Sequence, residues 1–302
     1  MMRNEHPPAY DIHFMDLPLS RLHVLETGQG EPLIMVPATI SELENWQILA
    51  QFMAQWFHVY FFELPGHGGS TPFRESFSSH QVARLVEQMV DHLGFNRFNL
   101  MGFSFGGILA MRAYQRLSHR IDRLILIAPC LGRRTLPFSN SRVQLLSTVN
   151  RLLGHAGFQA RFIAWIHDRR AVSIMVKILQ KVGSLEDTLL LEKKLLRIPA
   201  TTISVLNSHL DEILNTHFEA GAEKHNTPCC FAMSVFDPML KFDSSLETVQ
   251  QHFSNVNAVR LNFPYHQPPK PFTFEELNHG FFETVDTFMQ FHPLRRDSWA
   301  RQ

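Results

Sequence analysis

The 302-residue sequence predicts an α/β protein, a mostly parallel central sheet flanked by helices and interrupted by an all-helical insertion. Three observations predict it. Apolar runs such as Leu33-Ile34-Met35-Val36 lack the two-residue alternation of a half-exposed strand, which suits strands buried on both faces. Strand and helix patterns alternate through the first 130 residues, as in successive β-α-β units. Strand patterns then vanish over 131–226 and return after 227. The expected organisation is a first core part at 1–130, a helical insertion at 131–226 and a second core part at 227–302.

The elements follow in order. Residues 11–17 and 19–26 read as two opening strands, closed by Gly28 and Gly30. After the strand at 32–36, Leu43, Trp46, Leu49, Met53 and Trp56 recur at helical spacing over 42–56. The run 58–62 is a strand, stopped by Pro65-Gly66-His67-Gly68-Gly69. A helix at 79–93 ends at Gly94, a residue suited to the left-handed turn after a helix. Then come a strand at 98–103, a helix at 105–117 and a strand at 123–128. Helical patterns fill the insertion at 143–153, 158–167, 172–181, 185–196 and 202–218. The final strands are expected at 229–236 and 258–263, the final helix at 281–291, and the Pro-rich run at 264–271 as an irregular loop.

Composition excludes several classes of function. With 28 basic and 28 acidic side chains the chain is not a globally basic nucleic-acid binder. No apolar window is long enough for a transmembrane helix, and residues 1–8 lack the apolar segment of a secretory signal. Cys130, Cys229 and Cys230, two of them adjacent, make no disulfide framework. These features predict a soluble cytoplasmic protein. No phosphate-binding or dinucleotide-binding glycine motif occurs, so no cofactor is expected. His209, His217 and His225 lie eight residues apart beside acidic residues, a spacing that ill suits metal ligands on one helix, and no metal is expected.

Gly102-Phe103-Ser104-Phe105-Gly106-Gly107 is a G-x-S-x-G sequence with an apolar strand running in and a helix running out. Small neighbours two residues either side allow a serine to sit on a sharp strand-to-helix turn. The helix N-terminus then aims free N–H groups at any developing anion. Together with Glu63-Leu64-Pro65-Gly66-His67-Gly68-Gly69-Ser70, similar to a D-x-P-G-H-G-x-S loop, this resembles the α/β-hydrolase family from about residue 11 to residue 291. Glu63 stands where that family usually has Asp, and His67 reads as structural.

The resemblance implies a Ser, acid, His order along the chain. Ser104 is the expected nucleophile. Asp237, in Asp237-Pro238-Met239-Leu240 past a strand, is the expected acid, with Asp243 as the alternative. His279, in Leu277-Asn278-His279-Gly280, is the expected base at the opening of the final helix. It follows Asp237 by 42 residues, longer than the family usually shows, with the Pro-rich loop at 264–276 accounting for the excess. The oxyanion donors implied are the backbone N–H groups of Phe105 and Thr39, the latter in Pro37-Ala38-Thr39 where the family usually reads His-Gly-x.

The resemblance further implies a serine hydrolase of a carboxylic ester or thioester. It is similar to lid-bearing methyl ester esterases of the pimeloyl-carrier-protein type and to carbon–carbon bond hydrolases. A non-catalytic binding protein of the same fold is the alternative from a different class. Residues 131–200 carry twelve Lys or Arg against four acids. That excess predicts either a solvated helical surface or a dock for an acidic acyl carrier presenting an acyl ester.

Overall fold

The computed structural model describes residues 3–153, 200–219, 221, 223–268 and 270–292, with scattered positions between 154 and 199. Its elements run β1 (Tyr10–Asp16), β2 (Arg21–Gly28), β3 (Glu31–Val36), α1 (Leu43–Met53), β4 (Phe57–Phe62), α2 (Ser79–His92), β5 (Phe98–Phe103), α3 (Gly106–Leu117) and β6 (Ile121–Ile127). Then follow α4 (Asn140–Leu153), α5 (Ala200–Asn215), β7 (Cys229–Ser234), α6 (Phe242–His252), β8 (Val256–Leu261) and α7 (Phe274–Phe291). Of the helices expected at 158–167 and 172–181 only scattered positions, among them Arg161, Trp165 and Ser173, are described, and the helix expected at 185–196 lies outside the described residues.

The strands form one eight-stranded sheet in the order β1-β2-β4-β3-β5-β6-β7-β8. β1 and β2 pair antiparallel, as do β2 and β4, and every later pair is parallel. The apolar runs are explained by burial on both faces. Ile34, Val36, Tyr60, Phe62 and Leu100 face a core built with α2 and α3, whereas Leu33, Met35, Val59, Phe61 and Met101 face one built with α1 and α7. In α2, Val82, Leu85, Val86, Met89 and Val90 are buried at helical spacing, each such side chain contributing about 1.5–3 kcal/mol. At the end of the sheet where the parallel strands begin, buried Arg123 donates to the His292 carbonyl and to Asn99 Oδ1 and pairs with Glu31. This fastens the C-terminal end of α7 beneath the strands.

Two elements depart from expectation. α6 is an additional helix between β7 and β8, with Phe242, Ser245, Val249 and His252 on its buried side. α7 starts at Phe274 rather than near 281. A reciprocal capping box sets that start: the Thr273 hydroxyl accepts from Glu276 N–H, and the Glu276 carboxylate accepts from Thr273 N–H.

α4 and α5 fall between β6 and β7, in the expected insertion. They are tied together by Ser147 Oγ–Asn215 Oδ1 (3.2 Å) and Asn150 Nδ2–Asn207 O (3.1 Å). Their outer surface includes exposed Arg142 and Arg151, and exposed Arg133 and Arg134 precede them.

Candidate active site

Ser104 sits between β5 and α3 with φ of 54°, a left-handed conformation that few non-glycine residues hold. The surrounding backbone over-determines it. Ser104 N–H donates to Ile127 O (3.0 Å), and its carbonyl accepts from Gly107 and Cys130 N–H (both 2.8 Å). The flanking glycines are required by contact. A Cβ on Gly102 would lie 2.3 Å from Gly106 O, and one on Gly106 would lie 2.6 Å from Val36 O and 2.7 Å from Pro37 O. The turn therefore presses directly on the end of β3, where the Pro37-Ala38-Thr39 arm departs.

Asp237 follows β7, and its side chain is buried. Its Oδ1 accepts from Met239 N–H (2.8 Å) and Leu240 N–H (3.0 Å), closing a tight turn that aims Oδ2 inward. Oδ2 lies 2.6 Å from Nδ1 of His266, whose Nε2 lies 2.7 Å from Ser104 Oγ. A carboxylate only accepts, so Nδ1 carries the imidazole proton and Nε2 is left to accept from the serine hydroxyl.

Ser234 joins the two loops that supply this chain. Its hydroxyl donates to Phe263 O (2.5 Å) and accepts from Phe263 N–H (3.0 Å) and Phe236 N–H (3.1 Å). The loop carrying His266 is filled by the Phe263–Tyr265 stack (5.2 Å) and by Phe272 and Phe281.

The histidine expected beside Ser104 is thus corrected. His279 is exposed in the second turn of α7, one residue past buried Asn278. Asn278 accepts from Gln55 Nε2 (2.7 Å) and donates to Asn4 O (2.9 Å). A turn of about 100° per residue swings the next side chain outward. The imidazole that meets Ser104 and Asp237 is that of His266, in the Pro-rich segment read as filler. Its signal was the Asp-to-His spacing, which is 29 residues with His266 and 42 with His279. Asp243 is exposed in the first turn of α6, and it is Asp237 that the fold brings to a histidine.

Among the described residues, neither Phe105 N–H nor Thr39 N–H is taken up by a protein acceptor. Phe105 caps the N-terminal end of α3, and Thr39 belongs to the arm pressed against the turn. The arm is held from below. Glu63 Oε1 accepts from Leu43 N–H (3.0 Å), Oε2 accepts from Gly69 N–H (2.5 Å) and faces His23 Nδ1 (3.0 Å), and Ser41 Oγ accepts from Leu64 N–H (2.9 Å). Glu63, the departure from the family's Asp, joins the β4 loop to the start of α1. Among the described residues no group of three His, Cys, Asp or Glu side chains is placed to hold a metal ion.

A sequence model of the α/β hydrolase fold matches residues 31–203, more than half of the chain, and the chain belongs to that family. Over 166 residues it is 27% identical to a pimeloyl-[acyl-carrier protein] methyl ester esterase of Nitrosomonas europaea, covering 49% of this chain and 64% of that protein. Over 122 residues it is 29% identical to an N-formylmaleamate deformylase of Pseudomonas putida, covering 39% and 46%. The chain thus spans less than two thirds of either relative's length. Among solved structures, the epoxide hydrolase CorEH superposes with a TM-score of 0.65 at 20% identity, over 95% of this chain and all of that one. A thermophilic esterase from Thermogutta terrifontis superposes at 0.63 and 16%, over 92% and 99%. These two likenesses carry the fold. No described helix is long and apolar enough to cross a membrane.

Proposed function

We propose that the protein is a serine hydrolase that cleaves a carboxylic ester or thioester through an acyl-enzyme. The observation that carries the reading is the continuous chain Asp237 Oδ2–His266 Nδ1 and His266 Nε2–Ser104 Oγ, at 2.6 and 2.7 Å. Ser104 Oγ attacks the carbonyl carbon while its proton passes to His266 Nε2, and Asp237 stabilises the imidazolium that results. The N–H groups of Phe105 and Thr39 receive the oxyanion, helped by the positive end of α3. His266 then hands its proton to the leaving alkoxide or thiolate. Water, deprotonated by the same nitrogen, releases the acid and restores the serine.

The exposed arginines Arg133, Arg134, Arg142 and Arg151 on and before α4, with the excess of basic residues over 131–200, favour an acyl group delivered on an acidic carrier. The name of the Nitrosomonas relative is consistent with this. The test is a panel of p-nitrophenyl esters and acyl thioesters of increasing acyl length, with a vinylogous diketone alongside, assayed on wild type and Ser104→Ala. Ester or thioester turnover that disappears with Ser104 supports the proposal. Turnover of the diketone alone assigns the same residues to carbon–carbon cleavage.

A further inference from the structure

His209, on α5, is wholly buried; among the described residues neither ring nitrogen makes a well-formed hydrogen bond, and the Thr39 backbone is the polar group that acts on the ring. His67, from the loop after β4, is also buried, with Nε2 unpartnered. The two rings stack at 5.2 Å and 12°. His209 also stacks on Phe105 (4.6 Å, 28°) and rests against Phe77 (4.3 Å). On the same helix Val205 meets Gly66, and Glu212 accepts from Ser79 N–H (2.7 Å) and Ser79 Oγ (2.9 Å). The imidazole pair thus lies at the centre of the surface by which α5 sits on the turn bearing Ser104.

Buried polar atoms are ordinarily paired, and a buried charge without a counter-ion is more costly still. The ionisable groups on the surrounding elements are engaged elsewhere or face solvent. Glu63 holds His23 and two backbone amides, Glu75 accepts from Gln81, Glu42 from Asn45, Asp211 from Asn215 and Glu212 from Ser79 and Thr216. His266 lies between Asp237 and Ser104, and Arg74 and His80 are exposed. Among the described residues no anion is available to receive a proton taken up by either ring.

We propose that His67 and His209 form a neutral imidazole seat that docks α5 over the Ser104 turn and comes apart when either ring is protonated. Burial holds His67 down at about 4. Burial, then the neighbouring His67, holds His209 well below the ordinary histidine value, with the Thr39 backbone acting the other way. The docked state therefore binds fewer protons than the released state. Docking is complete above the ordinary value of 6.5 and weakens as pH falls toward 4. For His67 alone, release becomes about twentyfold more favourable between pH 7 and pH 5. Release would also free Phe105 of the imidazole stacked on it. That catalytic consequence rests on the ester hydrolase reading, whereas the conformational step does not.

Hydrogen exchange of the amides at 205–215, corrected for intrinsic rate, tests it at pH 7 and pH 5 in wild type, His67→Phe, His209→Phe and the double variant. Phenylalanine preserves ring packing and cannot titrate. The expected result is about twentyfold or greater acceleration at pH 5 in wild type, reduced in each single variant and lost in the double. Undiminished acceleration in both single variants, or none in wild type, overturns the proposal, and the single variants decide it if the double does not fold. Absence of ester turnover in wild type would count against the hydrolase reading and leave this result intact.

Discussion

Nε2 of His266 lies 2.7 Å from Oγ of Ser104, joining residues 162 positions apart. His279 lies on the outside of α7. His266→Ala is therefore expected to lower kcat by on the order of 10⁴-fold and to abolish fluorophosphonate labelling of Ser104. His279→Ala is expected to stay within about twofold of wild type, as a surface change does. Steady-state kinetics of the two variants on one activated ester decide it, and a reversed pattern would return the base to His279.

Asp237 gives one oxygen to two backbone amides and the other to His266. Asp237→Asn keeps the size but can present an amide N–H to Nδ1, which favours the wrong imidazole tautomer. The expected loss in kcat is on the order of 10³–10⁴-fold with KM little changed. Asp243→Asn, at an exposed position in the first turn of α6, is expected to leave kcat alone. Circular dichroism on both variants separates a catalytic loss from unfolding.

The parts of the fold that were legible in the sequence are those where burial leaves a periodic mark. β3, β4, β5 and β6 are apolar on both sides because helices cover both faces, and Ser104 was legible because a strained turn needs glycine at fixed offsets. The histidine was not legible by type, since the chain has 17 of them. It had to be placed by the boundary between β8 and α7, and that boundary was misread. Thr273 and Glu276 are the capping pair that marks the true start of α7, seven residues earlier than the apolar pattern suggests. Recognising them puts His279 inside the helix and leaves His266 as the loop histidine. α6 went unread because its buried face is partly polar, using Ser245 and His252 beside Phe242 and Val249.

Two glycines separate packing from conformation. A Cβ on Gly106 meets the carbonyls of Val36 and Pro37 at 2.6 and 2.7 Å, so Gly106→Ala must push the end of β3 away from the turn. The expected cost is about 1–3 kcal/mol of stability, with reduced kcat as Thr39 shifts. Gly280, in the second turn of α7, has nothing within 4 Å of a built Cβ. Gly280→Ala is expected to stabilise by about 0.5–1 kcal/mol, since alanine gives up less freedom in a helix. Urea titration of both variants measures the two signs.

The three cysteines lie inside the fold, Cys229 and Cys230 in β7 beside β6. Burial pushes the Cys130 thiol up to about 11 and the Cys230 thiol up to about 12, and that of Cys229 well above its ordinary value. At pH 8 the thiolate fraction of each is then on the order of 10⁻³ or less. Iodoacetamide at that pH is expected to leave the native protein unmodified and to add three groups once it is unfolded in urea, counted by intact mass. Rapid alkylation of the native chain would show an accessible, lowered thiol.

Arg133, Arg134, Arg142 and Arg151 are all exposed, with Arg133 and Arg151 lining a groove shared by α4 and the end of α5. Further along, Arg161 and Arg170 are also exposed, whereas Arg169, Lys193 and Lys194 lie outside the described residues. An excess of one sign on a surface acts mainly on encounter, raising the rate at which an oppositely charged partner arrives. Changing these four arginines to glutamate is therefore expected to lower kcat/KM for an acyl group on an acidic carrier by about tenfold or more at low salt. The deficit should shrink as ionic strength rises, because the field is screened over about 10 Å at 0.1 M salt. A short neutral p-nitrophenyl ester reaches Ser104 without touching that face, and its turnover is expected to hold. Measuring both substrates from low to high salt separates the outcomes. Equal losses on the two would mean that the substitutions damaged α4 and its packing on α5, and no loss on either would leave the arginines as a solvated surface without a partner.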